Sequence, residues 1–140
     1  MSAAVTLFRA LLIASVATGV VGGFIDRIFP SLVPESVVKA FEALPAPPMP
    51  ALVLVMALFL ITFGGMITAI IGLYSFQPWS RKLAVLMTLL GLLFYPLLGA
   101  YTMSGWAAFF TEISTTLWGA VLAMSFVSSL SVRFETGPTR

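Results

Sequence analysis

The 140-residue sequence contains no cysteine and no histidine. Without cysteine the chain has no disulfide, no thiolate metal ligand and no thiol nucleophile. Without histidine it lacks the most common general base, metal ligand and haem ligand. Charged side chains make up only 9% of the residues, against about 25% in soluble proteins. The few cations form no dense patch, which argues against nucleic-acid binding. The sequence therefore predicts no enzyme activity, no cofactor and no metal.

Apolar residues, in contrast, make up 60% of the chain, and the mean hydropathy is +1.10. They are concentrated in four segments, at about residues 5–25, 51–76, 83–101 and 106–132. A helix of roughly 20 residues crosses a hydrocarbon core of about 30 Å, and it satisfies its own backbone hydrogen bonds there. The sequence therefore predicts an all-α integral membrane four-helix bundle, with residues 1–140 forming a single transmembrane domain.

The first apolar segment has two interpretations. Ser15-Val16-Ala17 has the small residues of a signal-peptide cleavage site. Only residues 10–14 separate this site from Arg9, which is too short for a normal apolar region of a signal peptide. This spacing favours a retained first helix.

The distribution of lysine and arginine predicts the orientation of the chain. With both termini in the cytoplasm, five cations lie on the cytoplasmic side and two on the other: Arg9, Arg81, Lys82, Arg133 and Arg140, against Arg27 and Lys39. We therefore expect a multi-pass protein of the inner (plasma) membrane with cytoplasmic N- and C-termini.

The longest connection contains one amphipathic segment, at about residues 34–44. Pro34 suits the first turn of a helix, and Glu35 and Lys39 are spaced for an ion pair. The pattern predicts a short helix in the first external loop, lying on the membrane surface or capping the bundle. A lid over a binding site, or a docking helix for a partner, would show the same pattern.

Aromatic and cationic residues near the ends of the apolar segments are typical interface anchors, because indole rings and cations favour the headgroup region. The predicted anchors are Arg9, Trp79, Arg81, Lys82, Trp106 and Arg133. Arg9 is expected to extend toward the headgroups from the start of the first helix.

Two stretches of the sequence resemble a known group of proteins. The stretch GLYSFQPWSRKLAVL at residues 72–86 resembles the segment joining two helices in a loose group of small, mostly uncharacterised four-helix bacterial inner-membrane proteins. The stretch LWGAVLAM at residues 117–124 is similar to their last helix. The resemblance implies a bacterial inner membrane and no particular activity.

Small residues recur at helical spacing in the apolar segments, which lets membrane helices approach closely. The predicted helix-packing residues are Ala14, Thr18 and Gly22, with Gly19 and Gly23 beside them, then Gly64, Thr68 and Gly72, and finally Gly119 and Ala123. Most of these ridges are expected to join the helices within one chain. A surplus ridge would form a dimer or dock a partner's helix.

Glu112 is the candidate functional acid because it lies close to, or within, the last apolar segment. It is either an acid at the outer interface or a proton- or cation-responsive carboxylate facing the bundle interior.

The pattern as a whole favours a small structural or interaction protein, acting as a homo-oligomer or an accessory subunit of a membrane complex, with membrane lipid as its surroundings. The alternative is a small transporter or channel-like protein with Glu112 near the transport path.

Overall fold

The computed structural model describes residues 3–45, 48–98, 102–127 and 129–136. These residues form six α-helices and a single 3-10 turn at Pro30–Leu32, with no strand among them. The helices are α1 (Ala3–Ile28), α2 (Glu35–Glu42), α3 (Met49–Tyr74), α4 (Ser80–Leu98), α5 (Gly105–Val127) and α6 (Ser131–Thr136). The prediction of an all-α chain is confirmed.

Three of the described helices, α1, α3 and α5, are long and apolar enough to cross a membrane. They indicate a membrane-embedded protein. The fourth predicted segment, residues 83–101, overlaps α4, but its last three residues lie outside the described part of the chain. A fourth crossing is not among the three candidates that the described residues supply.

The last apolar segment forms a shorter helix than the pattern over residues 106–132 predicts, because α5 ends at Val127. Serine competes with the helix for backbone hydrogen bonds and favours helix ends, and Ser129 lies in the turn that follows. The separate helix α6 then brings Phe134 into a fully buried position.

The four long helices alternate in direction, as the contacts between their ends show. They form two close pairs, α1 with α5 and α3 with α4. The two pairs contact each other much less extensively. We call the end of the bundle where α1 begins and α5 ends the closed end, and the opposite end the open end. The short helix predicted near residues 34–44 is observed as α2, on the connection at the open end, with Lys39 and Glu35 forming an ion pair of 3.2 Å.

The closed end is held by three aromatic rings from three parts of the chain. Phe8, Phe76 and Phe134 contact one another with ring centroids 5.1 to 5.9 Å apart. Offset or tilted aromatic pairs each contribute about 0.5–1.5 kcal/mol beyond their buried area. The hydrophobic core therefore joins the two helix pairs at this end.

The turn from α3 to α4 is tight and depends on two backbone features. Phe76 adopts a positive φ of 55°, and the amide of Gln77 donates to the carbonyl oxygen of Gly72 at 2.8 Å, as in a Schellman cap. A Cβ atom on Gly72 would lie 2.6 Å from the Cβ of the fully buried Ser80. Glycine at position 72 therefore lets α4 begin directly against α3.

Candidate functional site

A cleft of about 710 Å³ separates the α1–α5 pair from the α3–α4 pair. All four long helices contribute to its wall, together with Met103 from the connection before α5. On α1 the wall extends from Ser15 to Phe24, a rise of roughly 13 Å. The cleft therefore occupies the half of the molecule toward the open end, and it is not enclosed.

The polar side chains on the cleft wall mostly bond to the protein itself. Trp118 Nε1 donates to Thr88 Oγ1 at 2.9 Å and so bridges α5 to α4. Ser15 and Ser114 each donate to the other's backbone carbonyl oxygen, at 3.0 and 2.8 Å. Thr62 also lines the cleft, and its hydroxyl has no hydrogen bond to the described residues. The remaining wall is mostly apolar, so the cleft suits an apolar occupant.

The α1–α5 interface combines small residues with hydrogen bonds. A Cβ atom on Gly22 would lie 2.8 Å from Thr111 Oγ1 and 3.0 Å from the Thr111 backbone nitrogen. A Cβ atom on Gly19 would lie 2.8 Å from Ser114 Oγ. These two predicted packing residues lie on the seam between α1 and α5. Thr18 instead donates to the carbonyl oxygen of Ala14 on its own helix, and both residues are half-buried.

Asp26 and Ser104 join α1 to α5 at the open end. The carboxylate of Asp26 accepts hydrogen bonds from both the backbone amide of Ser104, at 2.8 Å, and the Ser104 hydroxyl. Ser104 Oγ in turn accepts from the amide of Ala107 at 3.1 Å, which caps the start of α5. A negative charge at a helix N-terminus is stabilised by the unpaired amides there. Asp26 was not singled out as a site residue from the sequence, although the serine before the apolar segment is an N-cap signal.

The other predicted packing residues lie on different surfaces. Gly72 is buried in the last turn of α3, against the start of α4, whereas a Cβ atom on Gly23, Gly64 or Gly119 would meet nothing within 4 Å. Thr68 is exposed and donates to the carbonyl oxygen of Gly64, and Ala123 is exposed. These exposed small residues are available to lipid or to another helix.

Two arginines at the closed end contact helix C-termini and aromatic rings. The guanidinium carbon of Arg9 lies 4.5 Å from the ring centroid of Tyr74, and Arg9 Nη2 donates to the Tyr74 carbonyl oxygen at 3.3 Å. Arg81 Nη1 donates to the Ser125 carbonyl oxygen at 3.1 Å, and its guanidinium carbon lies 5.2 Å from the ring centroid of Phe134. A cation at a helix C-terminus is favourable because carbonyl oxygens there lack partners. Both arginines therefore bind protein groups at this end.

The remaining predicted anchors are exposed. Trp79 and Trp106 expose 45% and 57% of their surfaces, and Lys82 and Arg133 are also exposed. Trp79 lies at the closed end and Trp106 at the open end, as expected for rings at two membrane surfaces. Their anchoring role stays a prediction.

Glu112 is exposed on α5 and is not among the residues that line the cleft. Its backbone carbonyl oxygen accepts a hydrogen bond from Thr115 at 3.0 Å. The structure therefore places this acid on the outer surface of the isolated chain.

Within the described residues, no group of three or more acidic side chains is arranged to hold a metal ion. Comparisons of the chain with protein-family models, with curated proteins and with solved structures found no match. The resemblance to small inner-membrane proteins therefore stays a prediction, and the function is argued from the geometry.

Proposed function

We propose that this chain is a bacterial inner-membrane protein that crosses the bilayer four times. It acts by assembling with other membrane helices, as an oligomer or as an accessory subunit, and it catalyses no reaction. The observation that carries this proposal is the exposed face of α5 that contains Glu112. The exposure of the apolar helices α1, α3 and α5 in the isolated chain supports a membrane surrounding for it.

The Glu112 face of α5 has the pattern of a second helix-packing seam. Four exposed residues share this face at spacings of four, three and four, namely Glu112, Thr116, Gly119 and Ala123. The seam that α1 presents to α5 has the same spacing, at Ser15, Gly19, Gly22 and Asp26. A repeat of this spacing keeps one side of a helix facing a neighbour. Another helix could therefore pack on the Glu112 face as α5 packs on α1.

The position of Glu112 also favours a partner over lipid. Trp106 is expected at the membrane–water interface, as tryptophan favours the headgroup region. Glu112 lies six residues further along α5, about 9 Å along the helix axis. An acidic side chain at the centre of a membrane helix costs about 2.5–3.5 kcal/mol on insertion scales, and less near the interface. Covering Glu112 with a polar group of a partner helix removes part of this cost.

Mass measurement in mild detergent tests the assembly. We expect the wild-type chain to run as an oligomer or with a partner, and Gly119→Leu to reduce it to a monomer because the new side chain blocks close approach. Gly64→Leu is the matched control, since Gly64 is equally open but lies on α3. A wild-type chain that is monomeric and free of partners would contradict the proposal.

The fourth crossing, by α4, and the orientation are part of the same proposal. Reporter fusions after Leu44 and Thr102 should report the side opposite the cytoplasm, and fusions after Gln77 and at the C-terminus the cytoplasm. Termini on opposite sides of the membrane would contradict four crossings.

A small transporter is the second candidate, because the cleft lies between two helix pairs that contact each other only weakly. The position of Glu112 outside the cleft gives this candidate no support from that residue. Solute flux in proteoliposomes that is lost in Gly91→Leu, which fills part of the cleft, would favour transport over assembly.

A further inference from the structure

We infer that the cleft between the helix pairs binds an anionic phospholipid from the leaflet at the open end, with hydrocarbon in the cleft and the phosphate beside Arg27. This inference depends on the membrane embedding proposed above. It adds a defined lipid site, formed by residues different from those of the Glu112 face.

The composition of the wall favours hydrocarbon over water. Small-molecule sites in proteins usually have volumes of about 300–1,000 Å³ and mostly apolar walls. The cleft, with a volume of about 710 Å³, falls within this range. Ordered water needs two to four polar partners, and apolar cavities stay dry. Most hydroxyl and indole groups on the wall already have protein partners, including the Thr88–Trp118 pair. The remaining surface is mostly apolar and therefore suits hydrocarbon.

The depth of the cleft matches one leaflet. The wall rises roughly 13 Å along α1, from Ser15 to Phe24, and half of a hydrocarbon core is about 15 Å thick.

Arg27 supplies the charge that selects an anionic headgroup. Val16, Val20 and Arg27 share one face of α1 by their spacing, and the two valines line the cleft. Arg27 is exposed, and within the described residues it has no ion pair or hydrogen bond through its side chain. Its neighbour Asp26 is bonded to Ser104. A guanidinium group at this position can bind phosphate oxygens in a bidentate manner.

Trp118 provides the readout because its indole lies on the cleft wall. One variant, Trp79→Phe with Trp106→Phe, keeps only Trp118. A second, Trp79→Phe with Trp118→Phe, keeps only Trp106, which is exposed outside the cleft. Each is reconstituted in vesicles of phosphatidylcholine. A minor fraction of the lipid carries brominated chains, on either phosphatidylglycerol or phosphatidylcholine.

We expect brominated phosphatidylglycerol to quench Trp118 at about one-fifth of the concentration that brominated phosphatidylcholine requires, as one cation near the surface provides about a fivefold preference. Trp106 should show no such preference.

The next substitutions are made in the variant that keeps only Trp118. Arg27→Gln should abolish the preference for phosphatidylglycerol. Lys82→Gln changes an exposed cation at the closed end and should leave the preference unchanged. Gly91→Leu should reduce quenching by both lipids, because Gly91 lines the cleft with open space beside it. Gly64→Leu is the control for Gly91→Leu and should leave quenching unchanged, because Gly64 is equally open but does not line the cleft.

Equal quenching of Trp118 by the two brominated lipids would overturn the inference, and so would unchanged quenching in Gly91→Leu. A dimer that Gly91→Leu converts to monomer would assign the cleft to a second copy and overturn it as well. Quenching of Trp106 without quenching of Trp118 would reject the lipid site but would leave the proposed membrane embedding intact. If neither residue is quenched by either lipid, the membrane embedding fails, and the lipid site fails with it.

Discussion

The substitution Gly22→Ala tests the closest approach between α1 and α5. The added Cβ atom would lie 3.0 Å from the backbone nitrogen of Thr111 and 3.2 Å from the backbone carbonyl oxygen of Ala107. Backbone atoms cannot rotate away, so the helices must separate. Overpacking of this kind costs about 1–3 kcal/mol. Separation would also lengthen the hydrogen bonds on either side of the contact, each of which contributes about 0.5–1.5 kcal/mol.

The neighbouring Gly23 supplies the matched control, because a Cβ atom there meets nothing within 4 Å. Both substitutions change helix propensity by the same amount, up to about 1 kcal/mol in favour of alanine, so this term cancels. We expect Gly22→Ala to lower the free energy of unfolding by about 1–3 kcal/mol relative to Gly23→Ala. Titration with sodium dodecyl sulfate in mixed micelles, followed by circular dichroism, measures the difference. Equal stabilities would refute the close α1–α5 contact.

The same titration tests three further contacts. Asp26→Ala should destabilise the protein by about 1.5–3 kcal/mol, because it removes two hydrogen bonds from a carboxylate to the start of α5; a neutral effect would contradict that junction. Arg81→Gln should cost about 1–2 kcal/mol through the loss of a carbonyl hydrogen bond and two ring contacts, and the exposed neighbour Lys82→Gln should cost almost nothing. Phe8→Ala should cost about 3–5 kcal/mol because its ring is fully buried, whereas Phe24→Ala, 56% exposed, should cost much less. Equal effects of Arg81→Gln and Lys82→Gln would contradict the contacts of Arg81. Equal effects of Phe8→Ala and Phe24→Ala would contradict the burial of Phe8.

Apolar segment length predicted the helices well because a membrane helix needs a continuous apolar run. The predicted segment 51–76 corresponds to α3, at Met49–Tyr74, and the segment 5–25 corresponds to α1, at Ala3–Ile28. The end of α5 was less predictable. Val132 continues the apolar pattern, yet the serines before it favour a helix end, and Phe134 packs against the closed end only after that break.

The packing residues were harder to predict because two spacings compete on one helix. Ala14, Thr18 and Gly22 recur every four residues, but the seam on α1 alternates between four and three, from Ser15 through Gly19 and Gly22. Two helices crossing at a small angle keep contact along the alternating pattern. The fixed interval of four drifts around the helix and therefore includes residues outside the seam.

The shape of the cleft follows from the distribution of small and polar residues. In lipid, apolar faces gain little by contacting each other, so helices approach where small residues, hydrogen bonds or interlocking rings reward contact. The α3–α4 pair has such a contact at Gly65, where a Cβ atom would meet the Met87 side chain. The cleft wall of α3 instead presents Phe59, Phe63 and Met66 to α1. These bulky residues keep the two pairs apart, and the rings at the closed end prevent complete separation. The open half of the molecule therefore contains the cleft.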